Sequence, residues 1–462
     1  DNTFTKESVL HQTADHWTSG GITRPVELQT LDESGLYVDK LFATPRQTGK
    51  TWALDVRVRL TNVSSKAMTR RLDVHLDLDN DAWDSHDFGD VKVAGRSSAE
   101  FTCTLEKLSV KGWTDETPVL YWLTAGLVAG PDEDNAFPYA IDDKTDRIGF
   151  REVKVKGDKL LVNGKPVQLR GYNRHEYHGE FSHALPAEVH AGDIQRLKDL
   201  GCNFIRTSHY PNDMRFLDMC DAAGIYVWEE TNSTSVDLFH KNFYAQMEAD
   251  ATTMVEWHFN RPSIIIWATL NECGSKDRKT RKAHKHMLDF LRSLDSSRPV
   301  TYASNAWTKD TCQEFADIVS WNWYEGWYGG STETIQAEWD KLMAYTAKHP
   351  GSKGKPVLVS EFGAGSIPGW HNPTRERWTE EFQADVLDET LRVYLADPRV
   401  TGVAIWQFND VRIGIEQEFG WSGRPRQYNN KGTFSERRVP KMCYDVVKKR
   451  MLEAKKNFKR RK

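Results

Sequence analysis

From residue 147 onward, short apolar runs alternate with long amphipathic, charge-rich stretches. Apolar runs of this kind are typical of buried parallel strands, and the stretches between them are typical of helices that cover a sheet. The helical patterns at 188–201 and 281–295 are clear, whereas the third and sixth connections are less regular. Eight β/α units over roughly 300 residues predict a (β/α)₈ TIM barrel. The predicted strands are 167–173, 203–209, 224–230, 263–272, 299–305, 318–324, 356–362 and 402–408.

The chain before the barrel has a different pattern. In "WALDVRVRL" (52–60) and "RLDVHLDLD" (71–79), apolar and polar residues alternate, as they do in strands with one buried face. Residues 35–145 are therefore predicted to form an immunoglobulin-like β-sandwich, a module of about 100 residues. Residues 1–34 are too few for a domain and are expected to be the end of another module. The remaining predicted segments are the barrel, 146–452, and a basic tail, 453–462.

Charge and composition exclude several classes of partner. The 462 residues include 62 basic and 66 acidic residues, a net charge of −4, which gives no overall electrostatic attraction to nucleic acid or to a membrane surface. The six cysteines are scattered without the spacing of a zinc site. No apolar run approaches a membrane span, and no signal-peptide pattern is recognised. The cellular location and the oligomeric state stay open, a homo-oligomer included.

Polar side chains stand at the carboxyl end of nearly every predicted barrel strand. Active sites of such barrels lie at this end, so the ring of polar residues predicts a catalytic site there. Its members are Asn173, Arg174, His175 and Glu176; His209 and Tyr210; Glu229 and Glu230; Asn271 and Glu272; Asn305; Asn322 and Tyr324; Glu361; and Trp406.

Glu272 and Glu361 form the most informative pair, because each follows an apolar run that fixes its backbone. Paired carboxylates on rigid strands suit glycoside hydrolysis. A separation of about 5–5.5 Å would indicate a retaining enzyme, and about 6.5–9.5 Å an inverting one. Repulsion between the two charges keeps one carboxyl protonated, as an acid catalyst requires. The alternative interpretation is a pair of salt-bridged strand caps.

Five segments in order resemble the barrel motifs of family 2 glycoside hydrolases, a group that includes β-galactosidases, β-mannosidases and β-glucuronidases. The likeness extends from about residue 5 to 447. It implies a retaining mechanism with Glu272 as acid/base and Glu361 as nucleophile. We expect the enzyme to work without metal or organic cofactor. The segments are "NGKPVQLRGYNRHEYH" (163–178), "LGCNFIRTSHYPN" (200–212), "GIYVWEE" (224–230), "NRPSIIIWATLNE" (260–272) and "VLVSEFG" (357–363).

The resemblance also implies roles for residues around the carboxylates. Asn271 matches the residue that hydrogen-bonds the sugar 2-hydroxyl, His175 and His209 match histidines of the glycone subsite, and Trp406 matches the tryptophan under the sugar ring. "HQTADHWTSGGITRP" (11–25) resembles the end of the family's jelly-roll sugar-binding domain. Its Asp15 stands where β-glucuronidases have a substrate-contacting aspartate. The chain departs from the family in lacking most of that jelly roll.

The segment "YNNKGTF" (428–434) concerns the substrate. It resembles the Asn-x-Lys-Gly element with which β-glucuronidases hold a uronic acid, and it implies that Asn429 and Lys431 contact the carboxylate. "SWNWYEGWYGG" (320–330) resembles their sixth-strand segment, so Tyr324 and Tyr328 are expected to line the pocket. Arg424 and Arg426 are further candidates, since a guanidinium suits a carboxylate.

These features favour a retaining exo-β-glycosidase that hydrolyses terminal β-D-glucuronides, carried by a small molecule or by an oligosaccharide. A β-galacturonidase would need the same grip on the carboxylate, and a β-galactosidase is a third alternative. From another class, a carbohydrate-binding pseudoenzyme stays open, although the presence of both Glu272 and Glu361 argues against it.

Overall fold

The computed structural model describes residues 7–9, 15–78, 83–129, 139–414 and 423–461. The chain divides into two compact units, of which one comprises Pro25–Glu152 and Glu256–Pro262 and the other comprises Asp1–Arg24, Val153–Val255 and Ser263–Lys462. Part of the predicted jelly-roll remnant, at residues 1–6 and 10–14, lies outside the described residues.

The first unit is built from two antiparallel sheets. One sheet has the strand order β1-β2-β5 and the other has the order β4-β3-β6-β7. Alternating burial along β2 and β3 follows the alternation of apolar and polar residues in the sequence. The strands are β1 (Leu36–Thr48), β2 (Thr51–Asn62), β3 (Met68–Asp77), β4 (Trp83–Val93), β5 (Ser97–Leu108), β6 (Tyr121–Ala129) and β7 (Tyr139–Ile148).

A single hydrophobic cluster joins the two sheets of this unit. Val56 and Val58 of β2, Val74 of β3 and Leu123 and Leu127 of β6 are among its members, and each is buried. Their burial removes the inward-facing side of each sheet from water, which is the main favourable contribution to the stability of such a unit.

The second unit contains an eight-stranded parallel sheet that follows a short antiparallel sheet. Strands β8 (Val153–Lys156), β9 (Lys159–Val162) and β10 (Lys165–Pro166) form the short sheet. The larger one has the order β15-β14-β13-β12-β11-β18-β17-β16 and confirms the predicted TIM barrel. Its strands are β11 (Leu169–Asn173), β12 (Phe204–Arg206), β13 (Tyr226–Glu230), β14 (Ile264–Ala268), β15 (Val300–Thr301), β16 (Val319–Asn322), β17 (Val357–Phe362) and β18 (Val400–Ile405).

The sheet closes between its two end strands through residues just beyond β15. The backbone N–H of Ser304 donates to the carbonyl of Ser320 at 3.0 Å, and the N–H of Asn322 donates to the carbonyl of Ser304 at 2.8 Å. All the ladders within the sheet are parallel, so the carboxyl ends of the strands meet at one mouth.

Seven α-helices accompany the described strands of the second unit. Local chemistry sets several of their ends. The Asp213 side chain caps α2 by accepting from the Arg215 N–H at 2.8 Å, and Gly224 ends that helix with a left-handed φ of 67°. The helices are α1 (Ala187–Asp199), α2 (Met214–Ala223), α3 (Phe243–His258), α4 (Arg281–Leu294), α5 (Ile335–Lys348), α6 (Glu380–Ala396) and α7 (Cys443–Arg461).

Described residues beyond β18 pair with each other near the mouth of the barrel. Strands β19 (Val411–Arg412) and β20 (Tyr428–Asn429) pair antiparallel, and the N–H of Trp17 donates to the carbonyl of Arg412 at 2.7 Å. This pairing brings the residues around Asp15 and the "YNNKGTF" segment to the same end of the barrel.

Candidate active site

A cavity of about 770 Å³ opens at the carboxyl ends of the barrel strands. Ten of the thirteen residues predicted for the site line it: Asp15, His209, Asn271, Glu272, Tyr324, Tyr328, Glu361, Trp406, Arg424 and Lys431. Nine further residues complete the lining: His16, Thr234, Ser235, Asn305, Trp307, Asn322, Trp323, Glu325 and Gly329.

Glu361 is held by a cation and a phenol. It lies in β17 and is buried. Arg206 donates from Nη1 to its Oε1 at 2.7 Å, and the Tyr324 hydroxyl donates to its Oε2 at 2.8 Å. Burial raises the pKa of this carboxyl, and the charge of Arg206 and the two hydrogen bonds oppose that rise. Both oxygens are therefore fixed in position with partners that favour the ionised form.

Glu272 has a different environment, because its partners are neutral amides. Asn322 donates from Nδ2 to its Oε1 at 2.7 Å, and Asn305 also hydrogen-bonds its carboxyl. Burial, together with the nearby charge of Glu361, raises the pKa of Glu272 to about 7. At neutral pH a large fraction of Glu272 is therefore protonated, which suits a proton donor.

The backbone that presents Glu272 is unusual. Both Leu270 and Glu272 have a left-handed φ, 60° and 54° respectively. The turn is held by the Asn271 N–H, which donates to the Ser233 carbonyl at 2.9 Å, and by the Glu272 N–H, which donates to the Ala303 carbonyl at 3.0 Å. Positive φ in residues other than glycine is costly and persists where surrounding contacts enforce it, most often at functional sites.

Arg206 connects the residues of this site from beneath. Its buried guanidinium donates to both oxygens of Glu230, at 2.8 and 3.0 Å, and to the Asn271 Oδ1 at 2.9 Å, besides Glu361. Asn322 also donates to the Asn271 Oδ1, at 3.2 Å. Because this oxygen already accepts two hydrogen bonds, the Asn271 Nδ2 is the atom left to donate to a ligand.

Histidine and tryptophan rings form one wall of the cavity. His209 stacks on Trp406 with ring centroids 4.9 Å apart, and its Nδ1 lies 2.7 Å from the Glu230 Oε1. His175 does not line the cavity but packs behind it, with its ring edge against Trp406 at 5.4 Å and its ring 4.6 Å from His16. Burial lowers the pKa of His16 to about 4 and the pKa of His209 well below its ordinary value, so these imidazoles are neutral.

Lys431 is a buried cation. Its side chain is only 2% exposed, and its Nζ lies 5.2 to 5.9 Å from the ring centroids of Tyr324, Trp327 and Tyr328. No carboxylate of the described residues comes within salt-bridge distance of this Nζ. Burial lowers the pKa of Lys431, since the charged form is poorly solvated, while Tyr328 and Asp15 oppose the shift. An anion that entered the cavity beside Lys431 would relieve this cost.

Asp15, Arg424 and Asn429 form a cluster of their own. Arg424 donates from Nε to the Asp15 Oδ1 at 2.8 Å and also pairs with Oδ2 through Nη2, and Asn429 donates from Nδ2 to the Asp15 Oδ2 at 2.8 Å. Asn429 does not line the cavity, and its buried Oδ1 has no hydrogen-bond partner. In this structure the guanidinium of Arg424 is thus already paired with a carboxylate of the protein.

Arg426 points elsewhere. It is 34% exposed, donates from Nη2 to the Glu436 Oε1 at 2.9 Å, and lies over the Tyr428 ring at 4.9 Å. It does not line the cavity.

Sequence reasoning gives no role to Arg206 or to any of the nine further residues of the lining, His16 among them. Among the residues left without a role, Asn305, Asn322 and Glu230 are placed at strand ends. For Arg206 a signal exists, because an arginine inside the otherwise apolar strand of "NFIRTSH" must find buried anionic partners. For His16 no pattern in the chain distinguishes it from other loop histidines.

A comparison with protein families now bears on this arrangement. Residues 153–455 match the model described as "Glycosyl hydrolases family 2, TIM barrel domain". The chain belongs to this family. The family prediction made from the motifs is therefore confirmed, and the barrel with its carboxylate pair corresponds to the matched domain.

Relatives of the chain include beta-glucuronidases. The chain is 26% identical over 457 residues to a beta-glucuronidase of Paenibacillus borealis, a match that covers 94% of this chain and 70% of the relative. It is 28% identical over 333 residues to a beta-glucuronidase of Streptococcus agalactiae, covering 66% and 54%. The chain thus spans between about half and 70% of the length of these relatives.

Among solved structures, the chain is similar to a family 2 beta-galacturonidase from Eisenbergiella tayi bound to galacturonate. The TM-score is 0.89 and the identity 34%, and the match covers 98% of this chain and 78% of that one. Within the described ranges, no group of three or more His, Cys, Asp or Glu residues is placed to hold a metal ion. None of the described helices is long and apolar enough to cross a membrane.

Proposed function

We propose that the chain is a retaining exo-β-glycosidase that hydrolyses terminal β-D-glucuronides. The observation that carries the proposal is the presence, in one cavity, of the carboxyl pair Glu272 and Glu361 and the buried cation Lys431, which has no carboxylate partner among the described residues. The pair supplies the chemistry of glycoside hydrolysis, and the cation supplies a reason to prefer a sugar that carries a carboxylate.

In the first step, Glu361 attacks the anomeric carbon and the glycosidic bond breaks. Arg206 and Tyr324 orient the attacking carboxylate, one on each oxygen. Glu272 gives its proton to the leaving oxygen, which its raised pKa allows at neutral pH. The product is a covalent glycosyl-enzyme ester and a free alcohol.

In the second step, water replaces the ester. Glu272 is now ionised and takes a proton from the attacking water, while Glu361 leaves as a carboxylate, and the net configuration at the anomeric carbon is retained. The Asn271 Nδ2 is proposed to donate to the sugar 2-hydroxyl, a hydrogen bond that strengthens as the oxocarbenium-like transition state forms.

The sugar carboxylate is proposed to bind beside Lys431, with the hydroxyl of Tyr328 and the Asp15–Arg424–Asn429 cluster next to it. The ring is proposed to pack on Trp406, bounded by His209 and, behind it, His175. Arg424 is paired with Asp15, whereas Lys431 has no carboxylate partner among the described residues, so Lys431 is the cation proposed to meet the substrate.

The domain assignments are proposals of the same kind. We infer that residues 35–145 form an immunoglobulin-like sandwich. The two antiparallel sheets around one hydrophobic core support this inference. Residues 1–34 are proposed to be the end of a jelly-roll domain, 146–452 the catalytic barrel and 453–462 a basic tail.

A β-galacturonide is the second candidate substrate. It is favoured by the likeness to the Eisenbergiella tayi beta-galacturonidase, which at 34% exceeds the identities to the two beta-glucuronidases given above. Both sugars place a carboxylate at C6 and differ in configuration at C4, so Lys431 would serve either of them.

One assay tests the proposal. Release of p-nitrophenol from the β-D-glucuronide, the β-D-galacturonide and the β-D-galactoside is measured for the wild type and for Glu361→Gln. The glucuronide is expected to be the fastest substrate, and Glu361→Gln is expected to abolish its turnover. Faster turnover of the galacturonide would select the second candidate, and turnover that survives Glu361→Gln would refute the mechanism.

A further inference from the structure

Two tryptophans line the cavity on a side that the proposed reaction does not use. Trp307 lies in the connection after β15 and Trp323 directly follows β16. Their ring centroids are 4.7 Å apart and the planes meet at 75°. Trp307 is 38% exposed, and its position is fixed by its Nε1, which donates to the Asn322 carbonyl at 2.7 Å.

These rings lie next to the proton donor. The same Asn322 whose carbonyl receives the Trp307 hydrogen bond donates from its side chain to Glu272 at 2.7 Å. Asn305, which also hydrogen-bonds Glu272, stands two residues before Trp307. An acid catalyst protonates the oxygen that joins the two parts of the substrate, so the part that leaves lies on the side of Glu272.

The charge of the lining differs between the two sides. The two lysine or arginine side chains of the described lining, Lys431 and Arg424, belong to the side where the uronate is proposed to bind. The polar residues shown beside the tryptophans are neutral amides, Asn322, whose carbonyl accepts from Trp307, and Asn305, two residues before Trp307. Amide groups can hydrogen-bond sugar hydroxyls, whereas they offer no cation to pair with a second acidic ring.

The size of the cavity leaves room for a second ring. At about 770 Å³ it lies in the range of cavities that enclose drug-sized ligands, which are larger than one hexuronic acid. Indole faces are broad apolar surfaces on which the C–H face of a pyranose can pack.

We propose that Trp307 and Trp323 form an aglycone subsite for an uncharged pyranose. The natural substrate would then be an oligosaccharide in which the terminal β-uronide is joined to a neutral sugar. The inference rests on the proposed function, since it takes Glu272 to be the acid that faces the leaving group.

Disaccharides that differ at one carbon test this subsite. We suggest measuring kcat/KM for β-D-glucuronosyl-(1→3)-D-galactose and for its counterpart with D-galacturonic acid as the second ring. β-D-Glucuronosyl fluoride serves as the reference, because fluoride is too small to reach the tryptophans and leaves without a proton. If the galacturonide proves to be the better substrate in the assay above, the corresponding galacturonosyl compounds replace these.

Replacement of either tryptophan by alanine is expected to lower kcat/KM for the neutral disaccharide roughly 10- to 100-fold, through lost packing against the second ring. Hydrolysis of the fluoride is expected to stay within about threefold of the wild type. Trp307→Phe, which keeps a ring, should recover part of the loss. Trp370 is 39% exposed and does not line the cavity, so Trp370→Ala is the matched control and should leave every substrate unaffected.

Several results would overturn the subsite. An equal loss for disaccharide and fluoride in Trp307→Ala and Trp323→Ala would mean that the rings only support the catalytic residues. If the wild type hydrolyses the acidic disaccharide as fast as the neutral one, the preference for an uncharged ring is excluded. If the alanine variants lose more kcat/KM with a p-nitrophenyl uronide than with the disaccharide, the subsite is one for planar aryl groups. A wild type that hydrolyses none of the uronosyl substrates, fluoride included, would refute the proposed function itself.

Discussion

Replacing Lys431 by methionine separates recognition of the carboxylate from every other contribution to catalysis. The Lys431 side chain is buried, and it lies among the rings of Tyr324, Trp327 and Tyr328. Methionine has a similar length and keeps the contact with those rings, so the change removes the ammonium charge and little volume. The effect should therefore appear with substrates that bear a carboxylate at C6.

The expected magnitude follows from the burial of the pair. Loss of one partner of a desolvated charge pair leaves the other charge buried alone and costs about 2–4 kcal/mol. At 1.4 kcal/mol for each factor of ten, kcat/KM for a β-D-glucuronide should fall about 30- to 700-fold. Lys431 has no carboxylate partner among the described residues. The substitution therefore breaks no ion pair with them, and the fall in kcat/KM can be read as lost contact with the substrate.

The assay compares two substrates that differ only at C6, p-nitrophenyl β-D-glucuronide and p-nitrophenyl β-D-glucoside. In Lys431→Met the glucuronide rate should fall by the factor above, while the slow glucoside rate should stay within about threefold or rise, because a buried unpaired cation has been removed. Arg426→Met is the matched control, since this cation belongs to the same loop, is 34% exposed and pairs with Glu436 outside the cavity.

Equal falls for both substrates in Lys431→Met would refute the reasoning. The lysine would then stabilise the loop rather than bind the uronate, and the assignment of an acidic substrate would lose its main support. Loss of activity in Arg426→Met as well would point to the loop as a whole.

Three other outcomes are expected. The kcat/KM for an aryl β-D-glucuronide should fall as the pH rises through about 7, because Glu272 must be protonated to act as the acid. Hydrolysis of β-D-glucuronosyl fluoride needs no proton donor and should not show this fall at alkaline pH. A fall common to both substrates would contradict the assignment of Glu272 as the acid. Proton NMR during hydrolysis should detect the β-anomer of the free uronic acid first, and an initial α-anomer would mean inversion. Arg206→Met should lower the free energy of unfolding by about 3–5 kcal/mol, because Glu230 would keep a buried charge without its partner. Urea denaturation measures this change. An unchanged free energy of unfolding would show that Glu230 is protonated or hydrated in the variant.

The strands of the barrel could be predicted because each is buried on both faces and is therefore continuously apolar. "SIIIWATLNE" and "PVLVSEF" give β14 and β17 within a few residues. The structures of the connections between the strands agree less well with the sequence pattern. The third and sixth, expected to be irregular, contain the regular helices α3 and α5, while the fifth has only the short 3₁₀ turns Trp307–Lys309 and Gln313–Phe315 between its strands.

The site was predictable where a side chain lies near the carboxyl end of a strand, as Glu361 does within β17 and Glu272 does beyond β14, since the topology alone brings such ends together. Side chains within the loops were harder to assign. Arg424 and Arg426 are two residues apart and look equivalent in the sequence, yet one is buried against Asp15 and the other faces Glu436. The direction of each depends on backbone angles, including a left-handed φ of 63° at Arg426, that no residue pattern reveals.

The proposed division of roles between the two carboxylates rests on their surroundings and not on their own chemistry. Glu361 has a guanidinium on one oxygen and a phenol on the other, so its charge is compensated before a substrate arrives. Glu272 has amide partners only and faces the charge of Glu361, and its pKa rises to about 7 in consequence. An exchange of roles would require the charge of Arg206 to move to the other wall of the cavity. Arg206 cannot do so while it also binds Glu230 and Asn271. Its fixed position therefore favours Glu361 as the nucleophile and Glu272 as the acid.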